Sequence, residues 1–413
     1  MAKKIESVAI IGGGPSGSTL ATLLARKGIK VGLFQIPKRP PLIVGESLLP
    51  AVIPILKLLG VEEEVKEFST FKPGATICLD AEEEVSFGFN LAASRLEYAY
   101  NVPRDLFDQT ILNAACSAGV EIFNHRATVE LDQNGRPKLS AATLEASDGF
   151  FSDGVDLIVD ATGRSRMFPK LFNLPSEEGK RKDLALFAHL EDVKISDPGN
   201  IHVDRFTKGW GWRIPLPGKV SLGVVLSPKH LKELGGTREE QYDNFLNTDP
   251  VLKQFTANAK RLTPVVTYTN YQWKAQQFYG DGWALTGDSA GFIDPVFSTG
   301  LYLAMQSSVN LAKAIEAGTE KAFQIYQDQH RRELASWQTI IDTWYDGRLF
   351  TLFRMGQLYK KSFLGRFINP HMTKHVTRVF TGEIRSGSYS HRLLNFMTNY
   401  GLYGQDTSGL VIH

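Results

Sequence analysis

Cysteine is scarce in this chain of 413 residues, which contains Cys78 and Cys116 and no others. Two cysteines are too few for a disulfide framework or a thiolate metal site. Such scarcity is typical of proteins that stay in a reducing compartment. We therefore expect a cytoplasmic protein that holds no metal ion.

An excess of charge is also lacking, because 46 lysines and arginines face 44 aspartates and glutamates. The formal net charge of +2 argues against nucleic acid as a partner, since phosphate binding requires a strongly basic surface. Long hydrophobic runs are missing too: the most apolar region, residues 41–61, is interrupted by Glu46, Pro50, Pro54 and Lys57. It is too broken to span a bilayer, and the basic N-terminus leads into a predicted strand rather than a signal peptide. We expect no membrane partner.

What is present is the composition of a globular, enzyme-sized protein, with 43% hydrophobic and 22% charged residues. The apolar run Ser7–Ile11 predicts a buried parallel strand, and a helical pattern follows over about residues 16–27. Lys30–Phe34 predicts the next strand. The three elements form a βαβ unit of about 30 residues.

A glycine loop joins the first strand of this unit to its helix and matches G-x-G-x-x-G. In that pattern the glycines allow a tight turn, close approach of a pyrophosphate and helix–strand packing. The helix N-terminus adds N–H donors and a favourable dipole. The acidic residue expected about 20 residues later for the ribose is replaced by Gln35, whose neutral amide should bind a hydroxyl more weakly. The candidate phosphate-binding residues are Gly12, Gly14, Pro15, Ser16 and Gly17.

Alternating and helical patterns divide the rest of the chain. Short alternating segments predict strands at 75–79, 85–89, 127–131 and 142–146, and buried apolar runs predict strands at 156–160 and 283–286. An antiparallel sheet is predicted over 184–226, and helices over about 50–59, 104–118 and 299–317 and through most of the chain from 321. We predict a discontinuous Rossmann-type domain (1–75, 100–170 and 275–320), an inserted β-sheet substrate domain (76–99 and 171–274) and a helical C-terminal cap (321–413).

Two later segments, 160–164 and 287–291, each follow a predicted strand and contain an aspartate and a glycine. With them, the chain resembles the two-domain flavoprotein monooxygenase superfamily, an α/β fold. The resemblance implies FAD as the cofactor, with Asp288 on the ribityl chain and Arg104 against the cofactor. Further contacts are implied for Asp160, Gly163 and Gly287.

The run 210–216, Trp-Gly-Trp-Arg-Ile-Pro-Leu, reads as a strand in which period two places Trp210, Trp212 and Ile214 on one face and Arg213 on the other. Two indoles and a branched aliphatic side chain would form a rigid wall. The alternative is an ordinary half-buried hairpin strand that turns at residues 217–218.

Four motifs make residues 5 to about 380 similar to the flavin-dependent halogenases. The motif W-x-W-x-I-P, ending in Pro215, implies a wall that keeps substrate from the oxygen-activated flavin. Residues 44–47 match a strap beside the isoalloxazine ring, and residues 71–75 place Lys72 at the position of the catalytic lysine. Residues 292–300 match the halide-binding loop. The residues that the strap and the loop supply are Gly45, Glu46, Ser47, Pro295, Ser298, Thr299 and Gly300.

The resemblance implies that reduced FAD, O2 and a halide give hypohalous acid, which Lys72 delivers to an aromatic substrate. It also implies a separate NAD(P)H-dependent flavin reductase that supplies FADH2. A buried lysine would have the lowered pKa that a haloamine requires. The alternative for Lys72 taken alone is a solvated lysine in a turn.

Phe297 is expected in the same wall as Trp210 and Trp212, and it stands where tryptophan-specific members of the family carry a glutamate that assists the indole. Without that acid the ring must activate itself, which implies a phenol or a pyrrole. Residues 341–380 carry seven lysines and arginines against two acids, interleaved with aromatic residues. Such a face would suit an acidic carrier protein that presents a tethered aryl group, and the alternative is a solvated amphipathic cap.

Three other functions stay open at this point. A single-component aromatic hydroxylase shares the fold and FAD, although that group usually shows Gly-Ala-Asp-Gly where this chain has Asp-Ala-Thr-Gly at 160–163. A prenyl reductase of the geranylgeranyl type needs neither Lys72 nor a halide loop. A non-catalytic flavoprotein or carrier-binding scaffold would bind FAD and form no product.

Overall fold

The computed structural model describes residues 4–36, 42–269, 272–359 and 363–413, with the side chains of 357–369 left aside. Its strands are β1 (Ser7–Ile11), β2 (Lys30–Phe34), β3 (Thr70–Lys72), β4 (Gly74–Cys78), β5 (Glu84–Gly88), β6 (Ala99–Asn101), β7 (Glu121–Phe123), β8 (Val129–Leu131), β9 (Pro137–Leu139), β10 (Leu157–Asp160), β11 (Ser176–Glu178), β12 (Leu184–Glu191), β13 (Ile201–Phe206), β14 (Gly209–Leu216), β15 (Lys219–Leu226), β16 (Lys260–Arg261), β17 (Val266–Thr269), β18 (Trp273–Ala275), β19 (Tyr279–Gly280), β20 (Trp283–Leu285) and β21 (Gly291–Phe292).

The α-helices alternate with these strands in the first half and dominate the C-terminal part. They are α1 (Pro15–Ala25), α2 (Ile53–Leu59), α3 (Glu62–Glu67), α4 (Arg104–Ser117), α5 (Ala141–Glu145), α6 (Met167–Leu171), α7 (Pro228–Leu234), α8 (Arg238–Thr248), α9 (Pro250–Thr256), α10 (Thr299–Ala317), α11 (Glu320–Tyr345), α12 (Arg348–Tyr359), α13 (Phe363–Thr381) and α14 (Tyr389–Asn399).

A six-stranded sheet in the order β19-β20-β10-β1-β2-β7 forms the first layer. Its strands are parallel except at the β19–β20 pair, and β1 and β2 are buried apart from their first residues. The βαβ unit is as predicted, since the apolar runs fill two adjacent parallel strands and α1 crosses between them.

The second layer is an eight-stranded sheet in the order β16-β12-β15-β14-β13-β4-β5, with β17 paired to β12. The antiparallel sheet predicted over 184–226 is present as β12, β13, β14 and β15. The parallel pairing of β13 with β4 brings in a strand from more than 100 residues earlier in the chain. The mixed α/β architecture with a helical C-terminus confirms the predicted fold class.

The strand predicted at 142–146 is wrong, because this segment forms the helix α5. The Ser140 hydroxyl caps it and accepts a hydrogen bond from the backbone N–H of Thr143 at 3.3 Å. A serine N-cap satisfies one of the free N–H groups of the first turn, so this local bond favours a helical start over the alternating pattern.

The C-terminal helices contribute aromatic side chains to the main hydrophobic core. Along α11 the buried positions recur every three or four residues, and they include Tyr326, Trp337 and Trp344. The basic face expected over 341–380 is only partly available. Its aromatic residues Phe350 and Phe353 are buried in the core.

Acidic partners neutralise two of the arginines of that face. Arg348 pairs with Asp346 at 2.6 Å, and Arg354 pairs with both Asp80 and Glu83. Lys360 and Lys361 lie outside the described residues, as do the side chains of Tyr359, Phe363, Arg366 and Phe367.

Among the described residues, no helix has the length and apolar character that a bilayer crossing requires. The same part of the chain contains no group of three or more histidine, cysteine, aspartate or glutamate side chains arranged to hold a metal ion.

Candidate active site

A cavity lies where the carboxyl ends of β1, β10 and β20 meet one face of the eight-stranded sheet. Ligands of α/β proteins bind at this edge of a parallel sheet. The cavity brings together most of the residues predicted to contact the cofactor. Those that line it are Gly14, Pro15, Ser16, Gly45, Glu46, Ser47, Arg104, Gly163, Asp288 and Pro295.

The glycine loop at the start of α1 has the close packing that the dinucleotide pattern requires. Gly12 has φ +122°, and a side chain there would collide with the carbonyl oxygen of Ala161. A side chain at Gly17 would collide with the carbonyl oxygen of Gly12, whereas Gly14 faces open space in the cavity. The loop therefore leaves room for a pyrophosphate against the backbone at the N-terminus of α1, and these residues fit FAD.

Around the middle of the cavity, Arg104 donates hydrogen bonds to Asp108 and to the carbonyl oxygen of Val44, which anchors the strap. Burial raises the pKa of Asp288 to about 6, although the positive charges of Arg164 and Arg104 oppose the rise. A carboxyl with this pKa is ionised at neutral pH and can accept hydrogen bonds from ribityl hydroxyls.

Besides Gly12 and Gly17, three more predicted cofactor residues lie outside this cavity lining. The Asp160 carboxylate accepts hydrogen bonds from the N–H groups of Thr162 and Phe168 at 2.8 and 2.7 Å, so it shapes the turn after β10. Gln35 bonds to Asn124 near the surface, at 2.9 Å. Gly287, with φ +64°, forms the turn that presents Asp288.

The tryptophan strand β14 has the two faces that its sequence predicts. Trp210, Trp212 and Ile214 line the cavity, with the indole rings 5.8 Å apart, while Pro215 lies beyond the lining. On the opposite face, the Arg213 guanidinium forms a fully buried pair with Asp204 at 2.8 Å. The hairpin alternative also holds, because β14 pairs with β15 across the turn at 217–218. The strand is therefore both a core hairpin and a cavity wall.

The candidate halide loop ends at the N-terminus of α10, which begins at Thr299 as predicted. Ser298 adopts a left-handed conformation, with φ 57°, and lines the cavity together with Gly300. The Thr299 side chain is fully buried, and its Oγ1 has no hydrogen-bond partner among the described residues. An unpaired polar atom beside the free N–H groups of a helix start is suited to an anion.

Lys72, at the end of β3, is buried to 1% exposure. Its Nζ donates hydrogen bonds to the Ser47 hydroxyl and to the carbonyl oxygen of Leu48, both at 2.8 Å. The ammonium lies 5.4 Å from the ring centre of Phe89, and burial lowers its pKa to about 7. Lys72 does not itself line the cavity, but its partner Ser47 does. The alternative of a solvated lysine is excluded.

Two family models match this chain. One described as tryptophan halogenase matches residues 84–349, and one described as FAD binding domain matches residues 6–150. The first covers more than half of the chain. The chain belongs to the tryptophan halogenase family. It is a flavin-dependent halogenase, and its cofactor is FAD.

Individual relatives agree with this assignment of a halogenase. The tryptophan 2-halogenase of Chondromyces crocatus is 31% identical in an alignment of 385 positions that covers 87% of this chain and 72% of the relative. A 1H-pyrrole-2-carbonyl-peptidyl-carrier-protein chlorinase of Pseudomonas fluorescens is 27% identical in an alignment of 399 positions that covers 86% of this chain and 87% of that one. The flavin-dependent brominase Bmp2 has the same fold, with a TM-score of 0.76, 23% identity and coverage of 97% and 99%.

Phe297 occupies a different position in this halogenase from the cavity wall expected for it. Its ring is 2% exposed, lies outside the cavity lining, and packs edge-on against Trp344 and Phe380, with Trp337 at 6.3 Å. The residue before Ser298 therefore joins the halide loop to an aromatic cluster of the C-terminal helices.

Two residues that contact the halogenase site, His189 and Tyr345, were not predicted. Glu46, which lines the cavity, lies 2.7 Å from Nε2 of His189 on β12, and both side chains are buried. The Tyr345 hydroxyl, at the end of α11, contacts both Trp210 and Asp294. A lone histidine and a lone tyrosine carry no local pattern, so periodicity could not find them.

Proposed function

We propose that this enzyme uses FADH2, O2 and chloride or bromide to halogenate an electron-rich aromatic ring, a phenol or a pyrrole, through Lys72. The observation that carries the proposal is the buried position of the Lys72 amine, 2.8 Å from a serine of the cavity lining. When bound, reduced FAD supplies the electrons that activate O2 for oxidation of the halide.

The halide is bound at the start of α10. The free N–H groups at this helix end and the unpaired Thr299 hydroxyl are donors for an anion, and the helix dipole favours negative charge there. Asp288 and Arg104, which line the same cavity, would hold the cofactor. The Trp210 and Trp212 rings form a wall that keeps the aromatic substrate from the cofactor, so that hypohalous acid leaves toward Lys72.

The Lys72 side chain then transfers the halogen. With a pKa of about 7, a large fraction of the amine is neutral at neutral pH. The neutral nitrogen attacks the halogen of hypohalous acid, so that an N–X bond forms and water leaves. The aromatic ring takes the halogen from nitrogen, and the amine regains the proton that the ring loses. The ammonium form can instead orient hypohalous acid by a hydrogen bond.

Phe297 and one of the relatives support this class of substrate. A buried phenylalanine cannot accept a proton or stabilise a cationic ring, so the substrate must donate electrons through its own oxygen or nitrogen. The carrier-protein chlorinase among the relatives favours an aryl group tethered to an acyl or peptidyl carrier protein. We also propose a separate NAD(P)H-dependent flavin reductase as partner, and a cytoplasmic location, which suits the two unpaired cysteines.

Mass spectrometry of one reaction panel tests this function. Purified protein, FAD, an unrelated flavin reductase and NADH are combined with chloride or bromide and with phenols and pyrroles, free or carrier-tethered. We expect products with halogen isotope patterns that disappear in Lys72→Ala and in the length-matched Lys72→Met, while both variants still bind FAD.

Other products would contradict the proposal. Products heavier by one oxygen, whatever the halide, would identify a hydroxylase. Rapid NADH oxidation without an added reductase would point the same way. Full product yield in Lys72→Ala would exclude the role given to the lysine.

A further inference from the structure

We propose that Tyr345 is a positioning residue that joins the tryptophan wall to the halide loop, so that halide binding depends on its hydroxyl group. The inference rests on the proposed function and extends it to a residue of the helical C-terminal part. Tyr345 is the last residue of α11 and is 8% exposed.

One oxygen atom makes both connections. The indole Nε1–H of Trp210 donates to the Tyr345 hydroxyl at 2.9 Å, and that hydroxyl donates to Oδ2 of Asp294 at 2.7 Å. These partners lie 135 and 51 residues away in the sequence, on the cavity wall and at the start of the halide loop. All three groups are buried, so neither bond is exchanged readily for water.

Asp294 transmits the position of the hydroxyl to the loop. Its second oxygen, Oδ1, accepts the backbone N–H of Val296 at 3.0 Å and caps the short turn of residues 295–297. This turn leads directly to Ser298 and to the first residue of α10. A displacement of the Asp294 carboxylate would therefore change the direction of the N–H groups that face the halide.

The Tyr345 ring is itself held in place. The Arg181 guanidinium lies 4.0 Å from the ring centre and also pairs with Asp183 at 2.6 Å. Burial and the negative charge of Asp294 raise the pKa of Tyr345 well above its ordinary value. The phenol therefore keeps its proton and can donate it to the Asp294 carboxylate.

Removal of this one oxygen should affect the two sides of the site together. In Tyr345→Phe, the Trp210 indole loses its acceptor and Asp294 loses a charge-assisted donor. The wall and the loop can then shift independently. We expect weaker halide binding and escape of oxidising equivalents as hydrogen peroxide, with little change in the affinity for FAD.

The test is steady-state halogenation as a function of bromide concentration, with hydrogen peroxide measured in parallel. Tyr345→Phe should raise KM for bromide about tenfold, with a smaller change in kcat, because two buried hydrogen bonds are lost and they act on the halide only through the loop. The matched control is Tyr242→Phe, since Tyr242 is fully buried and its hydroxyl donates at 2.9 Å to Leu222, in a separate core cluster. This control should leave KM for bromide unchanged even where it lowers thermal stability.

A double-mutant cycle separates positioning from general loosening. If Tyr345 acts through the indole, Trp210→Phe and Tyr345→Phe should be strongly non-additive in KM for bromide. Should Tyr345→Phe fail to fold, Trp210→Phe and Asp294→Asn weaken the same two bonds from their other ends and should each raise KM.

Two failures can be told apart. A wild-type protein that forms no halogenated product defeats the proposed function, and this inference with it. A wild-type protein that halogenates, together with a Tyr345→Phe variant whose KM for bromide and peroxide yield match those of Tyr242→Phe, defeats this inference alone.

Discussion

Replacement of Lys72 by methionine should stabilise the protein at neutral pH while it abolishes halogenation. The amine is 1% exposed, and burial lowers its pKa from 10.5 to about 7. At low pH, where the amine is protonated, this difference in pKa lowers the free energy of unfolding by about 5 kcal/mol. Methionine has a similar length and no charge, so it removes this cost.

The stability cost of the buried lysine depends on pH. Below about pH 7 the Lys72 amine is protonated in both the folded and the unfolded chain, so the cost stays constant. Between about pH 7 and pH 10.5 the amine is protonated only in the unfolded chain, so the cost declines as pH rises. It amounts to about 4 kcal/mol at pH 7 and about 2 kcal/mol at pH 9. The lost hydrogen bonds to Ser47 and Leu48 offset about 2 kcal/mol in total.

Lys72→Met should therefore be more stable than the wild type by about 2 kcal/mol at pH 7 and equal to it near pH 9. Urea unfolding of the FAD-saturated proteins at the two pH values measures this difference. The control is Lys27→Met, which removes an exposed lysine paired with Glu316 and no buried amine, so its difference from the wild type should change between pH 7 and pH 9 by much less than that of Lys72→Met. A Lys72→Met difference that is the same at pH 7 and pH 9 would refute a lowered lysine pKa.

Three further predictions concern other parts of the structure. The FAD affinity of the wild type should fall as pH drops through about 6, where Asp288 gains a proton, and fluorescence titration should show no such change in Asp288→Asn. Arg213→Met leaves the buried Asp204 carboxylate unpaired and should cost about 3–5 kcal/mol in unfolding free energy. Adding Asp204→Leu to this variant should restore much of the lost free energy. If the double variant stays as unstable as Arg213→Met, the broken ion pair is not the cause of the loss. Phe297→Glu places a carboxylate in an aromatic cluster, so thermal scans should show a large loss of stability, and mass spectrometry no gain of tryptophan halogenation. A stable Phe297→Glu variant would contradict the buried position.

The elements that depend only on residues close together in the sequence could be predicted from it. The βαβ unit, the faces of β14 and the bounds of α10 follow from local periodicity, because strand and helix repeats place side chains on faces independently of the rest of the chain. The glycine loop could also be predicted locally, since Gly12 has a positive φ and a side chain at Gly17 would collide with the carbonyl oxygen of Gly12. The strand expected at 142–146 failed because the cap at Ser140 outweighed a weak alternation.

The chemistry of the site depends on contacts between distant segments. Lys72 sits in a sequence typical of a turn, yet in the fold its amine is buried and donates to Ser47 and Leu48, about 25 residues earlier in the chain. Phe297, beside the halide loop in sequence, packs into the C-terminal helices, and Tyr345 meets Trp210 across 135 residues. Periodicity tells which side chains share a face, whereas burial, pKa and hydrogen-bond partners depend on which faces the tertiary fold brings together.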